Sequence, residues 1–168
     1  MSKPEEIIKG AVLSDCGKFR FSLTREWEWG TDTILWIMLN PSTADANIDD
    51  PTIRRCISFS KSWGAKRLEV RNLFAFRATD PKDMEKALAN GGDICGPGNV
   101  GKLVDAAAEP DVKAVIAAWG AHKLAREWGT LVLREIKRPV FCLGTTKAGA
   151  PKHPLYVASD TILKDYKA

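Results

Sequence analysis

The feature that most constrains the fold is an apolar run that stops at an amide and a proline. The run is Ile34-Leu35-Trp36-Ile37-Met38-Leu39, and Asn40-Pro41-Ser42-Thr43 follows it directly. It is too short to span a membrane and too unbroken for a half-exposed strand, so it indicates a central parallel strand covered on both faces. In open α/β sheets, ligands bind beyond such strand ends. An ordinary β-to-α turn also explains the Asn-Pro pair.

The composition is typical of one globular domain, and we expect residues 1–168 to fold as such. The chain has 168 residues, of which 45% are hydrophobic and 27% charged, enough to bury a core. Its net charge of +4 permits a polyanionic partner but is weaker than the basic footprint of a nucleic-acid coat protein. The four cysteines are widely spaced without a C-x-x-C pair, and no signal peptide is evident. Both features favour reduced thiols in the cytoplasm.

Three further apolar segments have the same character as the first. Strands are predicted at 33–39, 67–73, 112–118 and 139–143, and helices at 51–63, 81–88, 99–108 and 121–136. Asp-Pro pairs at 50–51 and 80–81 mark two of the helix starts. The pattern predicts a three-layer α/β/α domain with a four-stranded, mainly parallel sheet. A β-hairpin around residues 15–17 is predicted at the margin of that sheet.

Each predicted strand ends at a side chain capable of binding a ligand. Asn40, Asn72, Trp119 and His153 lie at or just after the four carboxyl ends. Parallel strands place these ends on one side of a sheet, so we expect one crevice to gather all four. A loop histidine bonded only to backbone is the alternative for His153.

Two common kinds of site lack their usual support. No phosphate-binding motif of the G-x-x-x-x-G-K-[ST] or G-x-G-x-x-G type is present, which weakens the case for nucleoside triphosphates and dinucleotides. Asp45, Asp49 and Asp50 offer the oxygen ligands that divalent cations prefer, but helix capping explains part of this cluster. No cofactor is predicted.

Several motifs carry a resemblance to known families. They are L-N-P-S-T-A-D at 39–45, N-L-F-A-F-R-A-T-D-P at 72–81, W-G at 119–120 and G-A-P-K-H-P-L-Y at 149–156. Together they resemble an uncharacterised domain family of bacteria and their phages. Their order is also similar to that of the motifs in the uracil-DNA glycosylase superfamily, which implies a uracil-DNA glycosylase-like fold.

The resemblance to glycosylases implies roles for single residues. Asn40 corresponds to the residue that positions a water, and His153 to the one that stabilises the departing base; these two are the predicted catalytic residues. Asn72 corresponds to the asparagine that reads a pyrimidine edge, and Pro154 and Leu155 to residues that press into DNA. The other predicted substrate-binding residues are Pro41, Ser42, Thr43, Phe74, Arg77, Trp119 and Gly120. Ser42 stands where the mismatch-specific motif has glycine, and the histidine loop lacks the second proline of H-P-S-P.

Arg77 follows the second parallel strand, and we predict that it lines or rims the crevice. An arginine there binds a phosphate or a base edge with two hydrogen bonds. The alternative is a structural ion pair with Asp80, which already has a role in helix capping.

Three function classes remain. The first is recognition of a DNA base, normal or modified, or its excision by hydrolysis of the N-glycosidic bond. The second is a catalytically silent module that binds nucleic acid or a nucleotide. The third is a metal-assisted hydrolase that uses Asp45, Asp49 and Asp50. The expected partner is therefore DNA or a nucleotide, with no membrane.

Overall fold

The computed structural model describes residues 5–42 and 44–167. Within these ranges the strands are β1 (Ile8–Leu13), β2 (Arg20–Glu26), β3 (Thr31–Met38), β4 (Ala65–Asn72), β5 (Val112–Ala117), β6 (Val140–Cys142) and β7 (Lys164–Asp165). The helices are α1 (Pro51–Ser62), α2 (Pro81–Ala89), α3 (Asn99–Ala108) and α4 (Ala125–Glu135), with a short 3₁₀ helix at Pro154–Tyr156.

All the strands belong to one mixed sheet in the order β1-β2-β4-β3-β5-β6-β7. The central strands β4, β3, β5 and β6 run parallel to one another. The hairpin pairs antiparallel with itself and with β4, and β7 pairs antiparallel with β6. The sheet is therefore parallel in its middle and antiparallel toward both edges.

The prediction of a four-stranded, mainly parallel sheet of the uracil-DNA glycosylase type is wrong, although the α/β class is right. The sheet has seven strands in the described part of the chain, and three of its six strand pairs are antiparallel. The hairpin lies at one edge of the sheet, as predicted, and it adds two strands to the sheet because β2 pairs with β4 from Leu23↔Val70 to Glu26↔Arg67. β7 has only two residues, both exposed, so hydrophobic periodicity gave no signal for it.

Apolar cores cover both faces of the sheet, and successive side chains of β3 point alternately into one core and the other. Ile34, Trp36 and Met38 pack in the core that includes α1. Leu35 and Ile37 pack on the other face in the core shared by α2, α3 and α4. Each face of a buried central strand needs such cover, which explains why its sequence is apolar without interruption.

Helix α1 begins where the capping chemistry predicts. The Asp50 carboxylate accepts a hydrogen bond from the Ile53 N–H at 2.8 Å, and Pro51 occupies the first turn, where no N–H is required. This start fixes α1 beside the carboxyl end of β3. No described helix is both long and apolar enough to cross a lipid bilayer.

Candidate functional site

A crevice of about 480 Å³ lies at the carboxyl ends of the parallel strands, on the face covered by α1. Its lining includes Arg20, Asn40, Ser42, Asp50, Asn72, Trp119, His153, Leu155 and Tyr156. The four strand-exit side chains named from the sequence therefore reach one cavity. This placement follows from parallel strands, whose carboxyl ends share one edge of the sheet.

The carboxamide of Asn72 is the most unusual group in the crevice. Asn72 ends β4, and its side chain is 1% exposed. Neither Oδ1 nor Nδ2 forms a hydrogen bond within residues 5–42 and 44–167. Leaving a buried polar group unpaired costs about 1–3 kcal/mol. A ligand that offers one donor and one acceptor would satisfy both atoms.

Asn99 holds the backbone that carries this amide. It is the first residue of α3, and its Nδ2 donates to the Asn72 carbonyl at 3.0 Å and to the Leu73 carbonyl at 3.3 Å. Asn99 is itself 1% exposed. The end of β4 is therefore fixed from the opposite face of the sheet, which keeps Asn72 aimed at the crevice.

His153 presents a neutral imidazole to the crevice. Its Nδ1 accepts a hydrogen bond from the Leu155 N–H at 3.2 Å, so a neutral ring carries its proton on Nε2. Burial lowers the pKa of His153 below its usual value, and the opposing effect of the Asp50 carboxylate is smaller. The Nε2–H group is thus a hydrogen-bond donor without a positive charge at neutral pH.

Asn40 has its amide nitrogen fixed by backbone carbonyls. Nδ2 donates to the Ala78 carbonyl at 2.9 Å and to the Pro41 carbonyl at 3.1 Å. These bonds tie the exit of β3 to the segment after β4. Because the nitrogen is engaged in this way, the Oδ1 acceptor is the end of the side chain left for water or ligand.

Two side chains of opposite charge, Arg20 and Asp50, line the crevice. Arg20 is 3% exposed and donates to the Ala44 carbonyl, and burial lowers its pKa to about 10 despite the nearby Asp50 carboxylate. Asp50 accepts the Ser42 hydroxyl at 2.5 Å on Oδ2 while Oδ1 caps α1. Since Arg20 remains protonated at neutral pH, the crevice holds one cation and one anion.

Trp119 forms a wall that depends on a glycine in α4. A Cβ placed at Gly129 would lie 2.8 Å from Cζ2 of the indole, so only glycine leaves room for the ring. Tyr166 packs on the same indole edge to face, with ring centroids 5.7 Å apart. The position of Trp119 is therefore set jointly by α4 and the end of the chain.

The rim of the crevice carries exposed apolar side chains. Leu155 is 42% exposed and Tyr156 is 82% exposed, and both belong to the 3₁₀ helix. Arg55 of α1 holds that helix, since its guanidinium donates to the carbonyls of Pro154 and Val157. An exposed pair on a fixed turn is available to a partner.

Some predicted site residues lie elsewhere. Phe74 is in the opposite core, stacked on Trp128 at 6.3 Å, so the prediction that it binds substrate in the crevice is wrong. The Arg77 guanidinium donates to the Gly17 carbonyl of the hairpin turn at 3.2 Å and does not line the crevice. Gly120 lines a neighbouring groove.

The two prolines have backbone roles. The Pro41 carbonyl accepts the Ala78 N–H at 2.9 Å, and the Pro154 carbonyl accepts Arg55. Thr43 lies outside the described residues.

The three aspartates considered for metal binding are engaged separately. Asp45 accepts the backbone N–H groups of Asn47 and Ile48, and Asp49 pairs with Arg25 at 2.7 Å. Asp50 serves Ser42 and the N-terminus of α1. Within the described ranges, no three His, Cys, Asp or Glu side chains form a group suited to a metal ion.

Sequence reasoning missed Arg20, Tyr156 and Asn99 as parts of this site. Arg20 lies in a hairpin strand, where alternation with Phe19 and Phe21 predicts a solvent-facing side chain. Tyr156 was visible only as part of the H-P-L-Y motif. Asn99 gave no signal beyond a position near a helix start.

Comparison with known proteins agrees with part of the resemblance. A family model described as "Protein of unknown function (DUF1643)" matches residues 20–155. The chain belongs to the DUF1643 family. Its matched range contains every residue of the crevice named above except Tyr156. Searches of curated proteins and of solved structures give no significant match. Membership of DUF1643 carries no activity with it, so the glycosylase link stays a prediction.

Proposed function

We propose that the crevice binds a nucleobase, and that the protein recognises a base in DNA and excises it by hydrolysing the N-glycosidic bond. The observation that carries this proposal is the buried, unpaired carboxamide of Asn72. An asparagine side chain pairs with a base edge through one donor and one acceptor, and Asn72 has both of these atoms free of partners among the described residues.

His153 supports the excision step. When the bond between C1′ and the base nitrogen breaks, the electron pair leaves with the base, and a neutral Nε2–H donor stabilises the resulting negative charge. The Nδ1 bond to the Leu155 N–H fixes the imidazole in the required tautomer. Because the ring starts neutral, it stabilises the base by hydrogen bonding rather than by transferring a proton.

Asn40 supports the positioning of the attacking water. The water oxygen forms the new bond to C1′, and its proton passes to solvent. The Oδ1 acceptor of Asn40 orients that water but does not remove its proton, because an amide is not a base at neutral pH. Excision by this site therefore depends more on stabilising the departing base than on activating the water. This favours substrates whose base leaves readily.

The exposed rim supports action on a base extruded from the stack. Reaching a base in a duplex costs a few kcal/mol of unstacking. Leu155 and Tyr156 stand beside the crevice on a turn held by Arg55, where they fill the space that the base leaves. A modified or mispaired base costs less to extrude and is the favoured substrate.

A catalytically silent binding module is the second candidate, and one observation favours it. Asp50 is the carboxylate among the described residues of the crevice, and both of its oxygens already accept hydrogen bonds. Among the described residues of the crevice, no carboxylate is therefore free to act as a general base on the attacking water. The metal-assisted hydrolase is less well supported, because the three aspartates have separate partners.

The test uses oligonucleotides that carry normal, deaminated and modified bases. Abasic sites are detected by alkaline cleavage and mass analysis, and binding is measured in parallel. Asn72→Leu should weaken binding of the preferred base by about 5- to 150-fold, since a bidentate base contact is worth about 1–3 kcal/mol. Asn90→Leu, at an exposed residue after α2, is the matched control and should bind as the wild type does.

The outcomes separate the candidates. Abasic products that persist in excess chelator support excision without a metal. Base-dependent binding without products supports the silent module. Equal binding by the wild type and Asn72→Leu to every oligonucleotide contradicts base recognition by this crevice.

A further inference from the structure

A second concavity adjoins the crevice and differs from it in charge. This basic groove, of about 640 Å³, is lined by Trp119, Lys123, Arg126, Tyr166, Lys167 and residues 148–150, among others. Trp119 also lines the crevice, so the two cavities share this residue. The described lining of the groove contains cationic side chains and no carboxylate, whereas the crevice holds one cation and one anion.

The cations of the groove are largely available for a ligand. Arg126 is exposed on the first turn of α4 and forms no ion pair with a described residue. Lys123 is 72% exposed and contacts Glu85 at 2.7 Å. Lys147, which directly precedes Ala148 of the groove lining, is also exposed. A one-sided cluster of this kind attracts polyanions.

One loop connects the groove to the base-binding crevice. Residues 148–150 form part of the groove, and His153 follows them by only three residues. The Pro151 carbonyl accepts the Gly120 N–H at 2.9 Å, and the Gly149 carbonyl accepts the Tyr166 hydroxyl at 3.2 Å. A ligand that extends past Trp119 from the groove into the crevice therefore contacts the same loop in both cavities.

We propose that the basic groove is the track for the phosphate backbone of a polynucleotide strand whose base occupies the crevice. This inference rests on the proposed function and narrows it, because it assigns the phosphate backbone of the bound strand to a particular surface of the protein. The division matches the chemistry of the ligand: phosphates carry the negative charge, and a base carries none at neutral pH.

The experiment measures the salt dependence of binding for a short single-stranded oligodeoxynucleotide, the same sequence as RNA, and the matching free nucleoside. Arg126→Gln removes one groove cation. It should lower the slope of log affinity against log salt by about 0.7 for a strand, and leave nucleoside binding unchanged. Lys113→Gln, at an exposed residue near the opposite end of β5, is the matched control and should keep the wild-type slope.

Each result decides the matter. A lower slope for Arg126→Gln with Asn72-dependent affinity supports both proposals, and the tighter of the DNA and RNA probes identifies the strand. An unchanged slope with Asn72-dependent affinity overturns the phosphate track and leaves the base pocket standing. A lower slope with no effect of Asn72→Leu supports the track and contradicts the proposed function. No binding of either strand overturns the track.

Discussion

At the scale of single residues, the crevice combines a nearly balanced charge with unpaired hydrogen-bonding groups. Arg20 remains protonated with a pKa of about 10, and the Asp50 carboxylate also lines the crevice. His153 adds a neutral donor, and Asn72 adds an unpaired donor and acceptor. Such a set discriminates by hydrogen-bond pattern rather than by net charge, which suits an uncharged aromatic base.

Replacing His153 with asparagine should reduce the loss of stability in mild acid. Asparagine keeps an acceptor for the Leu155 N–H, so the turn is retained. Burial lowers the pKa of His153 in the folded protein, whereas the unfolded chain titrates near about 6.5. The stabilising contribution is therefore fully present above the unfolded pKa and is lost as pH falls through the lower folded pKa.

The measurement is the free energy of unfolding in urea at several pH values from about 7.5 down to about 5. The wild type should lose more stability than His153→Asn across this window. Parallel profiles would show that His153 does not titrate differently in the folded and unfolded states.

The sequence predicts the identity of several crevice residues, but not their burial or their hydrogen-bond partners. Asn40, Asn72 and His153 are found because strand ends and loop motifs are visible in one dimension. The sequence does not show that Asn72 lacks hydrogen-bond partners, because this depends on how the hairpin, α1 and the His153 loop pack around it. Arg20 is missed because a charged residue in an alternating strand ordinarily faces solvent.

At the scale of elements, helix α4 is shaped by the indole it supports. Gly129 lies inside the helix, where glycine costs about 0.5–1 kcal/mol relative to alanine. Glycine is nevertheless required there, because Trp119 packs too close to the helix for a Cβ. The helix starts at Ala125, whereas the sequence predicts 121, because the His122 Nδ1 accepts the Leu124 N–H in a preceding turn.

Substituting alanine at two helical glycines should have opposite effects on stability. Gly129→Ala forces a methyl group against the Trp119 ring and should destabilise the fold by about 1–3 kcal/mol. Gly101→Ala places its methyl group in open space on α3 and should stabilise by about 0.5–1 kcal/mol. Urea unfolding of both variants measures the difference. A neutral Gly129→Ala would mean that the indole moves without cost.

Helix starts and central strands are the most predictable elements here. The Asp-Pro pairs fix α1 and α2 through local capping chemistry, and an uninterrupted apolar run identifies β3. β7 is unpredictable, because two exposed residues carry no periodicity and pair with β6 only through the tertiary fold.

At the scale of the whole molecule, the burial of the strands decreases from the centre of the sheet toward its edges. Every residue of β3 from Thr33 to Met38 is buried, whereas no residue of β1 is. The antiparallel hairpin was recognisable as a hairpin, but its docking on β4 was not. The hairpin is also tied to the segment before α1, because Arg25 is fully buried and pairs with Asp49, a contact between residues that are far apart in sequence.

Amide hydrogen exchange should follow this gradient. The amides of β3 have partner strands on both sides and should open only with global unfolding, which costs about 5–15 kcal/mol in typical domains. The amides of β1 should exchange through local fraying at much lower free energy. Exchange of the native protein, read by NMR strand by strand, provides the comparison. Equal protection in β1 and β3 would contradict a graded sheet.

The unpaired carboxamide of Asn72 also bears on protein design. A procedure that optimised this chain for stability alone would replace Asn72 with an aliphatic residue, because a buried apolar group leaves no hydrogen bond unmade. The redesigned chain would be harder to unfold and would lose the donor and acceptor at the end of β4. Thermostabilising libraries built on this scaffold should therefore hold position 72 constant.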